Sequence, residues 1–248
     1  MQAANLPTTQ ADSFQLLNCV NTDFATALST LRQILPSVIA DLDSSTTSAA
    51  YNAFFGDLSY APYVREILTN STNGASVSPI PGLNSSSPIF VCVNDTAQVV
   101  GTFESPIRKE PVKQDFYNVC KGTHEEPGAV AYHLQWTPYI VICPRLSKRP
   151  LVPHLSTALC LKIRPHFNRF VGDGQNLAFY QIWTILHELV HYYSYSTKQD
   201  SVDQYFVNSC LTLEPDLAIL NPASYVYYAA SKYKISFLFC FHSSPYIY

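Results

Sequence analysis

The five residues His187-Glu188-Leu189-Val190-His191 constrain this chain more than any other stretch. They close an apolar run, Phe179-Tyr180-Gln181-Ile182-Trp183-Thr184-Ile185-Leu186. Ile182, Leu186, Leu189 and Val190 recur at helical spacing and define a buried stripe. His187 and His191 stand one turn apart on the face beside it. A helix this apolar belongs in a core, where a His-Glu-His triplet is costly unless paired or ligated. The fold must therefore bury this helix and still leave one side of it open to chemistry. Two neutral imidazoles at i and i+4 can take two corners of a single catalytic Zn²⁺ site. Glu188 is the residue placed to act on water there as a general base. A chance H-E-x-x-H is expected on the order of once per hundred or more chains so poor in His and Glu. The alternative, a surface helix with two solvated histidines, is at odds with the apolar context.

Composition supports a packed domain. Hydrophobic residues make up 47% of the 248 and charged residues 13%, which is ample for a core. The net charge of −3 has no strong sign, and the basic clusters at Arg108-Lys109, Arg145 to Arg149 and Lys162 to Arg169 are short. Nothing reads as a nucleic-acid groove. Ile235 to Phe241 is too short to span a bilayer, so no membrane span is expected. The expected organisation is one domain over 1–248, with a helical N-terminal layer at 1–69, a glycosylated loop at 70–88 and the zinc-site region at 135–233.

Cys19, Cys92, Cys120, Cys143, Cys160, Cys210 and Cys240 are widely spread, without a C-x-x-C pair. That excludes a zinc ribbon or a thioredoxin-type motif. Reduced core thiols of a cytosolic protein are one reading. The sequons at Asn70-Ser71-Thr72, Asn84-Ser85-Ser86 and Asn94-Asp95-Thr96 favour the other, with disulfides, glycans and a secreted protein. One cysteine would then be free or intermolecular, and Cys210 is expected to be disulfide-bonded. The start, Met1-Gln2-Ala3-Ala4-Asn5-Leu6-Pro7, has neither a basic n-region nor an apolar h-region, so no signal peptide is visible.

The local patterns place this motif in an α+β fold, helix-rich with a small mixed sheet. Phe24, Leu28, Leu31 and Leu35 predict a helix after an Asn21 or Thr22 cap, closed by Pro36. Ser48 to Phe55 and Pro62 to Leu68 predict shorter helices, and Asn70 to Pro88 a loop. Ile89 to Val93, Ala97 to Phe103, Ala129 to Leu134 and Tyr139 to Pro144 read as strands. The metal helix is expected from about Asn176 to Tyr193. A last helix is expected from about Ala223 to Lys232, capped by Asn221 with Pro222 at its first position. Lys234 to His242 follows neither periodicity and reads as an atypical end. His124, His133, His154, His166 and His242 lack partner spacing and read as structural or solvent-facing. Trp183, one turn ahead of His187, reads as core or as cleft lining.

A catalytic zinc site needs three protein ligands and an open position. The extension H-E-x-x-H-x-x-G-x-x-H fails, because Ser194 and Thr197 stand at its Gly and His positions. Glu214 is a possible third ligand of the thermolysin kind, although Glu214-Pro215 looks like a turn. Asp200 and Asp203, in the polar stretch after the helix, are better candidates.

These residues, with Asn221-Pro222-Ala223-Ser224-Tyr225-Val226-Tyr227-Tyr228-Ala229, resemble the aspzincins, fungal secreted metalloendopeptidases of the deuterolysin and peptidyl-Lys type. That family shows H-E-x-x-H, then G-T-x-D-x-x-Y-G, then a helix opening near N-A-D-S-Y. The resemblance runs over roughly residues 135 to 233, including Ile140 to Pro144 as the strand ahead of the metal helix. It implies a zincin-like fold, His187, His191 and an aspartate as zinc ligands, Glu188 as the base and a transition-state tyrosine. Asp203 is taken as the ligand, with Asp200 as the alternative, and Tyr205 is the nearest substitute for the tyrosine. Packing is an equal reading for Tyr205. Ala223 stands where the family has an acid that holds a substrate ammonium, which argues against strict Lys specificity. The expected activity is hydrolysis of protein or peptide substrates by a secreted monomer. The alternatives are a secreted zinc-binding or interaction protein that has lost catalysis, and a peptidase that uses Glu214.

Overall fold

Phe24, Ala27, Leu28, Leu31, Leu35 and Val38 form the buried face of α1 (Thr22–Leu42) in a computed structural model of the chain. That model describes residues 8–11, 14–19, 22–43, 48–77, 85–93, 100–104, 111–122, 128–134, 137–151, 180–194 and 203–233. Pro36 lies inside α1 and does not end it. An interior proline costs about 3 kcal/mol. Burial of Val38 and Leu42 beyond it offsets that cost at about 1.5–3 kcal/mol for each side chain.

Ser48 caps α2 (Ala49–Phe55) by accepting the Tyr51 N–H at 3.2 Å. The next helix, α3 (Ala61–Asn73), buries Val64, Ile67, Leu68 and Ser71 and ends at Gly74, whose φ of 64° a residue without Cβ adopts at no steric cost. It therefore takes in the first residues of the predicted loop, and Asn70 is helical. Asn84 and Asn94 lie outside the described residues.

The sheet order is β1 (Thr8–Ala11), β2 (Phe14–Leu17), β3 (Ile89–Cys92), β7 (Tyr139–Ile142) and β6 (Ala131–His133). The central β2, β3 and β7 are parallel, whereas β1 and β6 are antiparallel at the two edges. A separate hairpin pairs β4 (Val100–Glu104) with β5 (Pro111–Asp115). The fold is thus α+β with a small mixed sheet. The N-terminal layer expected as helical over 1–69 carries α1, α2 and α3 and also β1 and β2, which belong to the sheet. Phe14, Leu16, Phe90, Ile140 and Ile142 face the main core. Val91 and Val141 alternate to the other face, where they pack with Cys120 and Cys143.

Disulfides join Cys19 to Cys92 and Cys120 to Cys143, the latter tying α4 (Phe116–Lys121) to the end of β7. Closing the 73-residue separation of the first removes unfolded-chain entropy worth on the order of 4 kcal/mol. The fifth described cysteine, Cys210, is a free, buried thiol, which corrects its expected pairing. Cys160 and Cys240 lie outside the described residues. Among the described residues no helix is long and apolar enough to cross a membrane.

The metal-motif helix is α5 (Gln181–Ser194), packed against α1, α3, β6, β7 and α8 (Pro222–Tyr233). Two short helices, α6 (Val207–Cys210) and α7 (Pro215–Ala218), lie between α5 and α8 in the chain. The far part of α8 is locked to α1 through Asp41. That carboxylate accepts hydrogen bonds from Lys232 Nζ at 2.7 Å, Tyr228 Oη at 2.8 Å and Ser48 Oγ at 2.6 Å. Burial alone would raise the Asp41 carboxyl. The bonds from Lys232, Ser48 and Tyr228 outweigh it and hold the group below its ordinary value. A depressed carboxylate adds stability above its unfolded pKa, and that stability is lost as pH falls through the folded value. Asp41→Asn is expected to cost about 2–3 kcal/mol at pH 7, because it leaves Lys232 without its counter-charge. In urea unfolding the gap from wild type should close below about pH 4. A gap that does not narrow as pH falls below about 4 would mean that the carboxylate charge is not what stabilises the junction.

Candidate metal centre

Every one of the fourteen residues of α5 is buried except His187 and His191. Ile182, Ile185, Leu186, Leu189 and Val190 are fully enclosed, so tertiary burial fixes this helix on every face but that of the histidines. The two imidazoles occupy its one partly open strip, and their Nε2 atoms lie 3.1 Å apart. Residues 176–179, the expected first turn of this helix, lie outside the described residues.

Asp203 completes the group. Its Oδ1 lies 3.5 Å from His187 Nε2 and 3.3 Å from His191 Nε2. With Zn–N and Zn–O bonds of about 2.0–2.1 Å, neighbouring donors of a tetrahedral site are separated by about 3.3 Å. The three spacings therefore outline one face of such a tetrahedron, and this donor set fits Zn²⁺. Burial raises the Asp203 carboxyl, but hydrogen bonds and charge from His187 and His191 push it far below the usual carboxylate range. It is ionised, as a ligand must be.

Glu214 is not part of this group. Among the described residues the metal-capable cluster comprises His187, His191 and Asp203. Glu214 is exposed at the N-terminal end of α7, where its carbonyl accepts the Leu217 and Ala218 N–H groups. The proline after it starts that short helix. Asp200 lies outside the described residues.

Glu188 is 7% exposed and faces the edge strand. Its Oε2 accepts the backbone N–H of His133 at 2.7 Å. Burial pushes its carboxyl up to about 7, against the opposing pull of His191 and of the His133 N–H. A carboxyl group of that kind can exchange a proton near neutral pH.

His133 was not recognisable as part of this arrangement, since its contribution is a peptide N–H supplied by β6. Its ring serves the hairpin. Nε2 donates to the Thr137 carbonyl at 3.0 Å, which fixes the tautomer, and the ring meets Tyr192 edge-on at 5.6 Å. Burial lowers the imidazole to about 4, so it is neutral.

Tyr205 stacks on His187, with ring centroids 5.5 Å apart and planes inclined by 17°. Burial, together with the Asp203 and Glu188 carboxylates and a hydrogen bond to Asp203, pushes its phenol up and keeps it protonated. Trp183 is fully buried and belongs to the core. On the remaining side Tyr192 and Tyr193 of α5 donate to the carbonyls of Ser86, at 2.5 Å, and Ala75, at 3.1 Å. The described ends of the predicted 70–88 loop are thereby pinned to the metal helix.

No protein-family model matches the chain, and no curated protein matches it at a significant level.

Proposed function

We propose that this chain is a zinc-dependent endopeptidase of the aspzincin type, with His187, His191 and Asp203 as ligands and Glu188 as general base. The observation that carries the reading is the set of three donor atoms at tetrahedral spacing with a buried carboxyl beside them. Bound Zn²⁺ supplies Lewis acidity, which acidifies water and polarises a carbonyl. The rest of the chemistry belongs to side chains and backbone of this chain. Glu188 Oε2 is held by the His133 N–H, which leaves Oε1 to take a proton from the attacking water. The same oxygen returns that proton to the leaving amine. Tyr205, a neutral phenol against His187, would turn its single O–H from Asp203 to the oxygen that gains charge as the carbonyl is attacked. An extended peptide would add to the sheet along β6, the strand that also orients Glu188.

Two disulfides fit a protein of an oxidising, extracellular compartment. The test pairs metal analysis of the purified protein with hydrolysis of an unfolded protein such as casein. The expected result is one zinc ion per chain and cleavage that a chelator abolishes and added Zn²⁺ restores. Cleavage unaffected by the chelator would overturn the reading. Bound zinc without cleavage would replace the peptidase with a zinc-binding protein on the same fold.

A further inference from the structure

Asp203, Gln204 and Tyr205 lie in neither a helix nor a strand, yet Asp203 Oδ1 falls within 3.5 Å of two histidines on another element. What holds this segment is the start of α8. Asn221 Oδ1 accepts the Gln204 N–H at 3.0 Å, and Asn221 Nδ2 donates to the Gln204 carbonyl at 3.3 Å. The carboxamide thus pairs with both peptide groups of the residue next to Asp203, as a neighbouring strand would. The Cys210 thiol donates to the same carbonyl at 3.1 Å, and Tyr227 Oη donates to the Tyr205 carbonyl at 3.0 Å.

Position 221 needs asparagine for a physical reason. An N-cap asparagine ordinarily turns its oxygen to an N–H of the first helical turn. Here the Ser224 N–H is taken by the Asn221 backbone carbonyl at 3.0 Å, and Oδ1 accepts the Gln204 N–H in its place. Only a carboxamide sets a donor beside an acceptor, so aspartate or serine could not reproduce the pair. Its orientation is fixed, since the flipped amide would set donor against donor and acceptor against acceptor. Ser224 Oγ, 2.9 Å from Nδ2, and Cys210 Sγ, 3.3 Å from it, share its other hydrogen. Both Asn221 and Ser224 are wholly buried, which removes competition from water.

We propose that Asn221 is the positioning residue of the metal centre. Its carboxamide clamps the Gln204 peptide and thereby delivers Asp203 to His187 and His191. This rests on the zinc-site reading above. A ligand displaced by even half an ångström loses much of its bond, and removal of the groups that orient ligands typically costs about 10–100-fold in metal affinity.

The experiment measures Zn²⁺ affinity by chelator competition, and the Co²⁺ absorption spectrum, for wild type, Asn221→Ala, Asp203→Ala and the double variant. Asn221→Ala is expected to weaken metal binding about 10–100-fold and to alter the Co²⁺ spectrum. In the Asp203→Ala background the same change should move affinity by less than about twofold, because there is no ligand left to position. Equal losses in both backgrounds, or none in either, would overturn the proposal. Should Asn221→Ala fold poorly, Ser224→Ala removes only the hydroxyl that orients the carboxamide. It should show the same dependence on Asp203 with a smaller loss, and affinity equal to wild type would count against the clamp. Hydrogen exchange of the Gln204 amide, protected in wild type and released in Asn221→Ala, reads the clamp without metal. A wild type that binds neither ion but keeps that protection would defeat the zinc site alone. An unprotected Gln204 amide in wild type would defeat the clamp.

Discussion

Glu188→Gln is expected to bind Zn²⁺ as wild type does and to lose peptide hydrolysis by about 10²–10⁴-fold, the usual contribution of a general base. The substitution keeps the shape of the side chain and an oxygen that can accept the His133 N–H. It removes only the ability to take a proton. A second readout is independent of activity. Because burial raises the Glu188 carboxyl to about 7, the metal-free native state holds a proton that the unfolded chain has released. This group therefore makes metal-free wild type less stable as pH rises from about 4.5 to about 7, and the loss then levels off. Metal-free Glu188→Gln should lack that slope in denaturant unfolding. Cleavage at the wild-type rate in Glu188→Gln would end the proposed mechanism. A slope that survives the substitution would mean that Glu188 is not buried as a protonated acid.

The parts of the fold that were legible in the sequence are those that local pattern encodes. Phe24, Leu28, Leu31 and Leu35 mark α1, and Ile140-Val141-Ile142 marks a strand buried on both faces. Pro36 misled, because its cost is local whereas the burial that overrides it comes from distant elements. Phe14-Gln15-Leu16-Leu17 gave too short a signal for β2, whose partner β3 lies more than seventy residues away. The same division runs through the site. His187, Glu188 and His191 announce themselves by spacing on one helix. Asp203 was reachable as a carboxylate in the returning segment, but the Tyr205 that stacks on His187 stands two residues after it, where the family pattern expects three. The His133 N–H and the Asn221 clamp left no trace. A peptide donor has no residue type, and an asparagine at a helix start reads as an ordinary cap until Gln204 is seen against it.

Asp203→Ala should remove one of the three protein donors and show whether the third corner of the site is correctly assigned. Zinc binding in small tetrahedral sites is worth about 10–16 kcal/mol over four ligands, so one donor accounts for about 3 kcal/mol. Affinity measured against a chromophoric chelator should fall about 10²-fold, with hydrolysis lost in parallel at limiting zinc. Glu214→Ala and Asp200→Ala are the matched controls. Glu214 is exposed and contributes its backbone carbonyl to α7, so its side chain can be lost with metal affinity unchanged. Asp200→Ala should likewise leave affinity unchanged. A large loss in Asp200→Ala with none in Asp203→Ala would reverse the assignment. It would also make the close approach of Asp203 to both imidazoles an ion pair of the metal-free protein, since a carboxylate between two histidines is stabilised by charge alone when they are protonated. The two cases part on the metal. A ligand role makes Asp203→Ala weaken Zn²⁺ binding, whereas an ion pair of the metal-free protein makes it lower stability without zinc and leave affinity unchanged.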